Sequence, residues 1–281
     1  MNSSVDTNDC LDHQIVELHQ FLYDQYGYDF RDYTKASQKR RLMYFLERDQ
    51  LTSVSEIKER ILLDKTFLEK LLSCLTVSTT EFFRDPSFYK VVKEYVIPVL
   101  KTYAFIKLWH AGCSTGEEVF SMAILLKEEN ILDRTMIYAT DINPAAIEKA
   151  RKGIVPSSSI KRVTNLYFEP AEKDALHQYW NVHHNFATLD HSIMKNIVFS
   201  EHNLATDHVF GEMQMIVCRN VLIYFNRTLQ EKVLELFAHS LCRSGFLGLG
   251  AKESLAFFRL ERDFEAVSKQ ERIYRKKSRC A

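Results

Sequence analysis

The eight residues Ala111-Gly112-Cys113-Ser114-Thr115-Gly116-Glu117-Glu118 bring together two glycines, two hydroxyls and two carboxylates. Glycine lets a backbone approach a ligand closely. The paired carboxylates stand where a dinucleotide site would rest a pyrophosphate on a helix N-terminus, and they would repel it. They suit a ligand with an ammonium group and no phosphate, and S-adenosylmethionine is one. The G-x-G-x-x-G spacing of dehydrogenases is absent. Taken alone, the loop is equally well explained by carboxylates that complement a helix dipole. Asp141, which follows the next apolar run after this loop, is placed to accept hydrogen bonds from ribose hydroxyls. Asn143 suits the helix cap next to it, which leaves Asp141 for a nucleoside. In Cys218-Arg219-Asn220-Val221-Leu222-Ile223-Tyr224-Phe225, two polar residues interrupt an apolar run. Singly, a buried ion pair for Arg219 and core packing for Tyr224 are the simpler accounts.

These segments are useful only if strands end at them. Apolar runs at Phe105–His110, Met136–Ala139, Ile197–Ser200, Met215–Cys218, Phe246–Leu249, Phe264–Val267 and Arg272–Arg275 predict seven strands, the last two a hairpin. Helical spacing lies between them, with Asn143-Pro144 and Asn226 as starts and Gly153 as a stop. Such alternation implies an α/β fold with a mostly parallel, Rossmann-like sheet covered on both faces, and ligands then bind beyond the carboxyl ends of the strands. Residues 157–196 interrupt the pattern as an inserted subdomain.

The first part is helical. Leu11–Tyr26 ends at Gly27, Lys35–Arg48 follows, and Ser53 with Glu56 forms a capping box. Asp85-Pro86 predicts a helix with Asp85 as cap, running to about Tyr103 and bent or cut short by Pro98. The expected division is 1–80 as an all-helical domain, 81–104 as a linking helix and 105–281 as the sheet domain.

Lys plus Arg equals Asp plus Glu at 37 each, which argues against nucleic-acid binding by bulk charge. The polar, acidic start is no secretory signal and no apolar run spans a bilayer, so a cytoplasmic protein without membrane insertion is expected. The six cysteines form no C-x-x-C pair, and six of the ten histidines cluster between His177 and His208 without a convincing ligand set, so no metal is expected.

Leu75–Asp85 (LTVSTTEFFRD), Trp109–Ala123 (WHAGCSTGEEVFSMA) and Cys218–Phe225 (CRNVLIYF), with ATDIN at 139–143 and GAKESL at 250–255, resemble the CheR family of chemotaxis receptor glutamate methyltransferases. The likeness runs in order from about residue 11 to the C-terminus. It implies a seven-stranded S-adenosylmethionine-dependent methyltransferase domain behind an N-terminal helical receptor-recognition domain. By this resemblance Ser78, Thr80, Arg84, Gly112, Glu118, Asp141, Asn203, Leu204, Cys218, Arg219 and Asn220 contact the cofactor. Glu118 would hold the methionine ammonium, Asp141 the ribose, and Asn203-Leu204 the adenine. Arg84 and Tyr224 would lie nearest the transferred methyl and the acceptor. Ser78 replaces a common Asn of the family, Gly153-Ile154-Val155 its GxY, Gln214 an acidic residue, and Ala251-Lys252-Glu253-Ser254 its H-S-E-S.

The implied reaction is in-line transfer of a methyl group to a glutamate carboxylate, giving a methyl ester and S-adenosylhomocysteine. A dry pocket of Phe82, Phe83 and Phe225 would assist. The acceptor would be the cytoplasmic helical bundle of chemotaxis receptors, met by a basic helix face of Arg40, Arg41, Tyr44 and Arg48, with the enzyme a monomer. The insertion corresponds in position to the family's small β subdomain, which in some members grips a receptor tail. The rival readings are a nucleic-acid methyltransferase, disfavoured because Arg219-Asn220-Val221 stands where a Pro-Pro-aromatic segment belongs, and a non-catalytic cofactor-binding adaptor.

Overall fold

The computed structural model describes residues 3–77, 80–160 and 178–278, with side chains from residue 11 onward. Four helices open the chain: α1 (Ser3–Tyr26), α2 (Lys35–Arg48), α3 (Val54–Leu63) and α4 (Lys65–Leu75). Gly27 ends α1 at φ 78°. This left-handed conformation costs glycine little. At α3 the Ser53 hydroxyl accepts the Glu56 N–H at 3.3 Å, while the Glu56 carboxylate accepts the Thr52 N–H at 3.0 Å. The pair makes a capping box whose return bond is shifted by one residue. Leu18, Leu22, Phe30, Leu42, Phe45, Ile57 and Leu71 fill a core of their own. His19 is buried with them, its ring centroid 5.9 Å from that of Phe30, and burial drives its pKa down to about 4.

Next come α5 (Pro86–Val91), a π-helical turn (Val92–Val96) and α6 (Ile97–Leu100). Pro98 has no N–H to give Glu94 and its ring crowds that carbonyl, so the preceding turn widens and the helix stops at Leu100, short of Tyr103. Asp85 is not the expected cap. It sits at φ 55°, its side chain makes no capping bond, and its carboxylate is held by Arg219 at 2.5 Å.

Seven strands form the main sheet: β1 (Ile106–Ala111), β2 (Thr135–Asp141), β6 (Ile197–Glu201), β7 (Met213–Cys218), β8 (Leu241–Leu249), β9 (Phe264–Ser268) and β10 (Ile273–Lys276), in the order β6-β2-β1-β7-β8-β10-β9. Only β10 runs antiparallel, pairing with both β8 and β9. β8 begins at Leu241, ahead of the expected Phe246, because Leu241 pairs with Met213 before a register shift. Helices α7 (Glu117–Glu128), α8 (Pro144–Lys152), α9 (His191–Met194) and α10 (Arg227–Ser240) accompany the strands. Two cores lie on the sheet, one around Phe88, Phe120, Leu108 and Phe246, the other around Trp109, Phe237, Ile216 and Leu247.

β3 (Ile154–Pro156), β5 (Phe186–Leu189) and β4 (Trp180–Val182) form a small antiparallel sheet in that order. It starts at Ile154, ahead of residue 157, because Val155 already pairs with Ala187 and both are buried in the main core. Residues 161–177 of the insertion lie outside the described residues. Among the described residues no helix is long and apolar enough to cross a membrane.

The helical layer is bonded to the sheet at several points. Thr34 N–H donates to the Tyr224 carbonyl at 2.8 Å, Asn226 N–H to the Asp32 carbonyl at 2.8 Å, and Tyr33 bridges Phe225. Asn143 Nδ2 donates to the Thr76 hydroxyl at 3.1 Å.

Candidate active site

The strand order turns between β1 and β7. At such a switch point an open α/β sheet offers a crevice beyond its carboxyl ends. A cleft of about 1030 Å³, its mouth included, opens there. That is ample for a nucleoside-sized ligand. Thr80, Arg84, Gly112, Glu118, Asp141, Leu204, Arg219, Asn220 and Tyr224 all line it. Asn203 and Cys218 do not. The Asn203 carboxamide accepts the Ala205 N–H at 3.0 Å and reaches the Gly27 carbonyl at 3.4 Å, and Cys218 is fully buried at the end of β7. Ser78 lies outside the described residues.

The floor is built by the loop after β1. Gly112, at φ 79°, and Cys113 both donate their N–H to the Thr140 carbonyl. A Cβ at residue 112 would run into Val221, so the close approach of the two loops requires glycine. Ser114 N–H donates to one Asp141 oxygen at 2.8 Å and Asn143 N–H to the other at 2.9 Å. Each oxygen keeps acceptor capacity for a ligand hydroxyl. Burial raises the Asp141 pKa, opposed by the Asn143, Ser114 and Ile142 amides. Asn143 caps α8, accepting from Ala145 and Ala146, so the two side chains divide the work as their sequence positions suggest.

Of the carboxylate pair at the start of α7, Glu118 faces the cleft, while Glu117 accepts the Thr115 hydroxyl at 2.6 Å. The Arg219 guanidinium, with a side chain 1% exposed, lies 2.7 Å from Glu118. It also donates to the Arg84 carbonyl at 3.1 Å and sits over the Phe88 ring at 4.3 Å. Burial pushes the Glu118 pKa up, but His110, with Nδ1 3.6 Å away, and Arg219 more than offset it, so Glu118 is held below its ordinary value. The buried ion pair that the sequence allows for Arg219 is present, and it forms part of the cleft wall. Among the described residues the Arg84 guanidinium has no hydrogen-bond or ion-pair partner.

The opposite wall hangs on a residue absent from the sequence-derived set. Glu253, 4% exposed, accepts the N–H of Asn220 at 3.0 Å, Val221 at 2.9 Å, Ile223 at 3.3 Å and Gly250 at 2.6 Å. A Cβ on Gly250 would stand 2.7 Å from the Glu253 carboxylate, so the knot closes only on glycine. Its sole sequence signal is an acidic residue in a segment that otherwise departs from the family pattern.

Phe82 and Phe83 do not wall the cleft. Phe82 packs on Phe120 and Trp180 at 6.4 and 5.4 Å between ring centroids, Phe83 packs on Tyr89, and both are buried. The aromatic wall is Phe225 with Tyr33, their centroids 4.9 Å apart. On α2, Arg40, Tyr44 and Arg48 are exposed and share a groove with Arg41. Arg48 pairs with its neighbour Asp49 at 2.6 Å, whereas Arg41 points toward the cleft: it donates to the Cys74 and Thr76 carbonyls at 3.1 and 3.2 Å and lies over the Tyr224 ring at 5.7 Å.

Ser114 Oγ and Asn220 Oδ1 are buried beside the cleft with no hydrogen-bond partner among the described residues. With the open lone pairs of Asp141 and the anionic Glu118, these mainly accepting groups fit a cationic, hydroxyl-bearing nucleoside such as S-adenosylmethionine.

Residues 78–273 match the family model described as CheR methyltransferase, SAM binding domain, and residues 14–76 that of the CheR methyltransferase all-alpha domain. Cher3 of Pseudomonas putida is 45% identical over 265 residues, covering 94% of this chain and 97% of that protein. A chemotaxis protein methyltransferase of Listeria innocua is 29% identical over 231 residues, covering 82% and 85%. A 104.1 kDa protein of Rhodobacter capsulatus is 29% identical over 254 residues, covering 88% of this chain but 26% of its own length.

Proposed function

Because the chain belongs to the CheR methyltransferase family, we propose that it methylates glutamate side chains of chemotaxis receptors, giving glutamate methyl esters and S-adenosylhomocysteine. S-adenosylmethionine is the cofactor of this domain, and when bound it supplies an electrophilic methyl group on a positively charged sulfur. The observation that carries the reading is one cleft lined by Glu118 and Asp141, beyond the strand ends, together with Arg84 and Tyr224.

Glu118 is kept anionic by Arg219 and His110 and would hold the ammonium end. Asp141 would take the ribose hydroxyls, with Thr80, Leu204 and Asn220 completing the walls and Gly112 the floor. A glutamate acceptor is ionised at neutral pH, since its free pKa is about 4.3, so no general base is needed. The task left to the protein is positioning, with reacting atoms held about 3–3.5 Å apart. The Tyr224 hydroxyl would orient the acceptor carboxylate, with the Arg84 guanidinium beside it. The buried Phe225 ring would help to keep water from the transfer.

The acceptor we propose is the cytoplasmic helical bundle of a receptor, docked on Arg40, Tyr44 and Arg48. The enzyme would act as a cytoplasmic monomer, without nucleic acid or membrane insertion. We assign residues 1–80 to recognition, 81–104 to the link and 105–281 to methyl transfer. The test is incubation with methyl-labelled S-adenosylmethionine and receptor-bearing membranes, followed by alkali. Label released by alkali is the expected result. Alkali-stable label would mean an amine acceptor, and no label at all a non-catalytic adaptor.

A further inference from the structure

Tyr33 comes from the helical layer yet lines the cleft of the sheet domain. Its place is tightly set. Its ring lies edge-on to Phe30 and Phe225, with centroids 5.0 and 4.9 Å away. On either side of it the backbone is bonded to the loop after β7, through Asp32 to Asn226 and Thr34 to Tyr224, each at 2.8 Å. A half-buried tyrosine ordinarily finds a partner for its hydroxyl. Here the hydroxyl makes no hydrogen bond among the described residues. Burial keeps the phenol protonated, its pKa raised further by the nearby Asp141 and Asp29 carboxylates. A donor and the Asp141 carboxylate, which can only accept, thus line the same cleft.

A ribose diol is complementary to that pair. Its hydroxyl hydrogens satisfy a carboxylate, and its oxygens keep lone pairs that ask for a donor. We propose that Tyr33 is a cofactor-binding residue, its hydroxyl donating to the ribose that Asp141 accepts from. The helical layer then supplies part of the cofactor site itself, so cofactor binding fastens residues 32–34 against the loop that carries Tyr224. The inference rests on the cofactor reading of the cleft and is independent of the acceptor.

Calorimetry with S-adenosylhomocysteine on the full chain tests it. Loss of one neutral hydrogen bond predicts about three- to tenfold weaker binding for Tyr33→Phe. Tyr28→Phe, in the same segment but outside the cleft, should bind like the parent chain. Tyr33→Phe combined with Asp141→Asn should lose less than the product of the two single effects, because both groups serve one ribose. An unchanged Kd for Tyr33→Phe overturns the proposal, and so does an equal loss in Tyr28→Phe, which would trace the effect to packing. Failure of the parent chain to bind would instead remove the cofactor reading of the cleft.

Discussion

The Glu253 carboxylate lies 3.0 Å from the backbone nitrogen of Asn220 and so ties the loop after β8 to the loop after β7. Asn220 is left-handed, at φ 61°. Asparagine tolerates that conformation better than most residues with a side chain. The four amides gathered on Glu253 hold it there.

Glu253→Ala should therefore cost about 2–4 kcal/mol, since buried amides lose a charged acceptor. Cofactor affinity should fall with it, because Asn220 and Tyr224 ride on the same loop. Denaturant unfolding with calorimetry on the folded fraction checks both. A variant of parental stability would show that water replaces the carboxylate.

Arg219 and Glu118 should be strongly unequal to their parts. Arg219→Leu strands a buried carboxylate and is expected to cost about 3–5 kcal/mol. Adding Glu118→Gln should recover part of that stability without restoring cofactor binding. Simple additivity in a double-mutant cycle would argue against direct coupling.

Tyr224→Phe keeps the ring under Arg41 and removes only the hydroxyl. Turnover should drop at least about tenfold through lost orientation, with cofactor Kd unchanged. Steady-state kinetics beside calorimetry separates the two, and undiminished turnover removes Tyr224 from the mechanism.

The basic face divides into two roles. Arg40→Glu with Arg48→Glu should weaken receptor methylation about five- to thirtyfold at low salt, less at high salt, and leave cofactor affinity intact. Arg41→Ala should also lower turnover at saturating receptor, because Arg41 holds Thr76 and Tyr224. Equal KM effects and unchanged kcat in both variants would return Arg41 to a docking role.

His19 sets a pH dependence in the helical layer. Burial lowers its pKa from 6.5 to about 4, so between those values the folded state binds fewer protons than the unfolded. The stability it contributes is complete above about pH 6.5 and is lost as pH falls toward about 4. Relative to His19→Leu, the parent chain should lose about 2 kcal/mol between about pH 7.5 and 5. Parallel melting curves for the two would refute this.

Much of the frame was legible in local pattern. The seven strands, the Asn143 cap, the Gly27 and Gly153 stops and the basic side of α2 follow from periods of two and 3.6 and from turn chemistry, which depend only on neighbours in the chain. Strand ends in an open α/β sheet then place Gly112, Glu118, Asp141, Arg219 and Asn220 at one edge. Partners distant in sequence were another matter. That Asp85 leaves its cap for Arg219, that Phe82 and Phe83 turn into the core, that Glu253 gathers the Asn220 loop, and that Tyr33 meets Phe225 are set by how the layers stack. Each joins segments far apart in the chain, and local preferences carry no information about that distance. Only the assembled sheet, with the helical layer bonded to it, decides which side chain is spent on structure and which is left to meet a ligand.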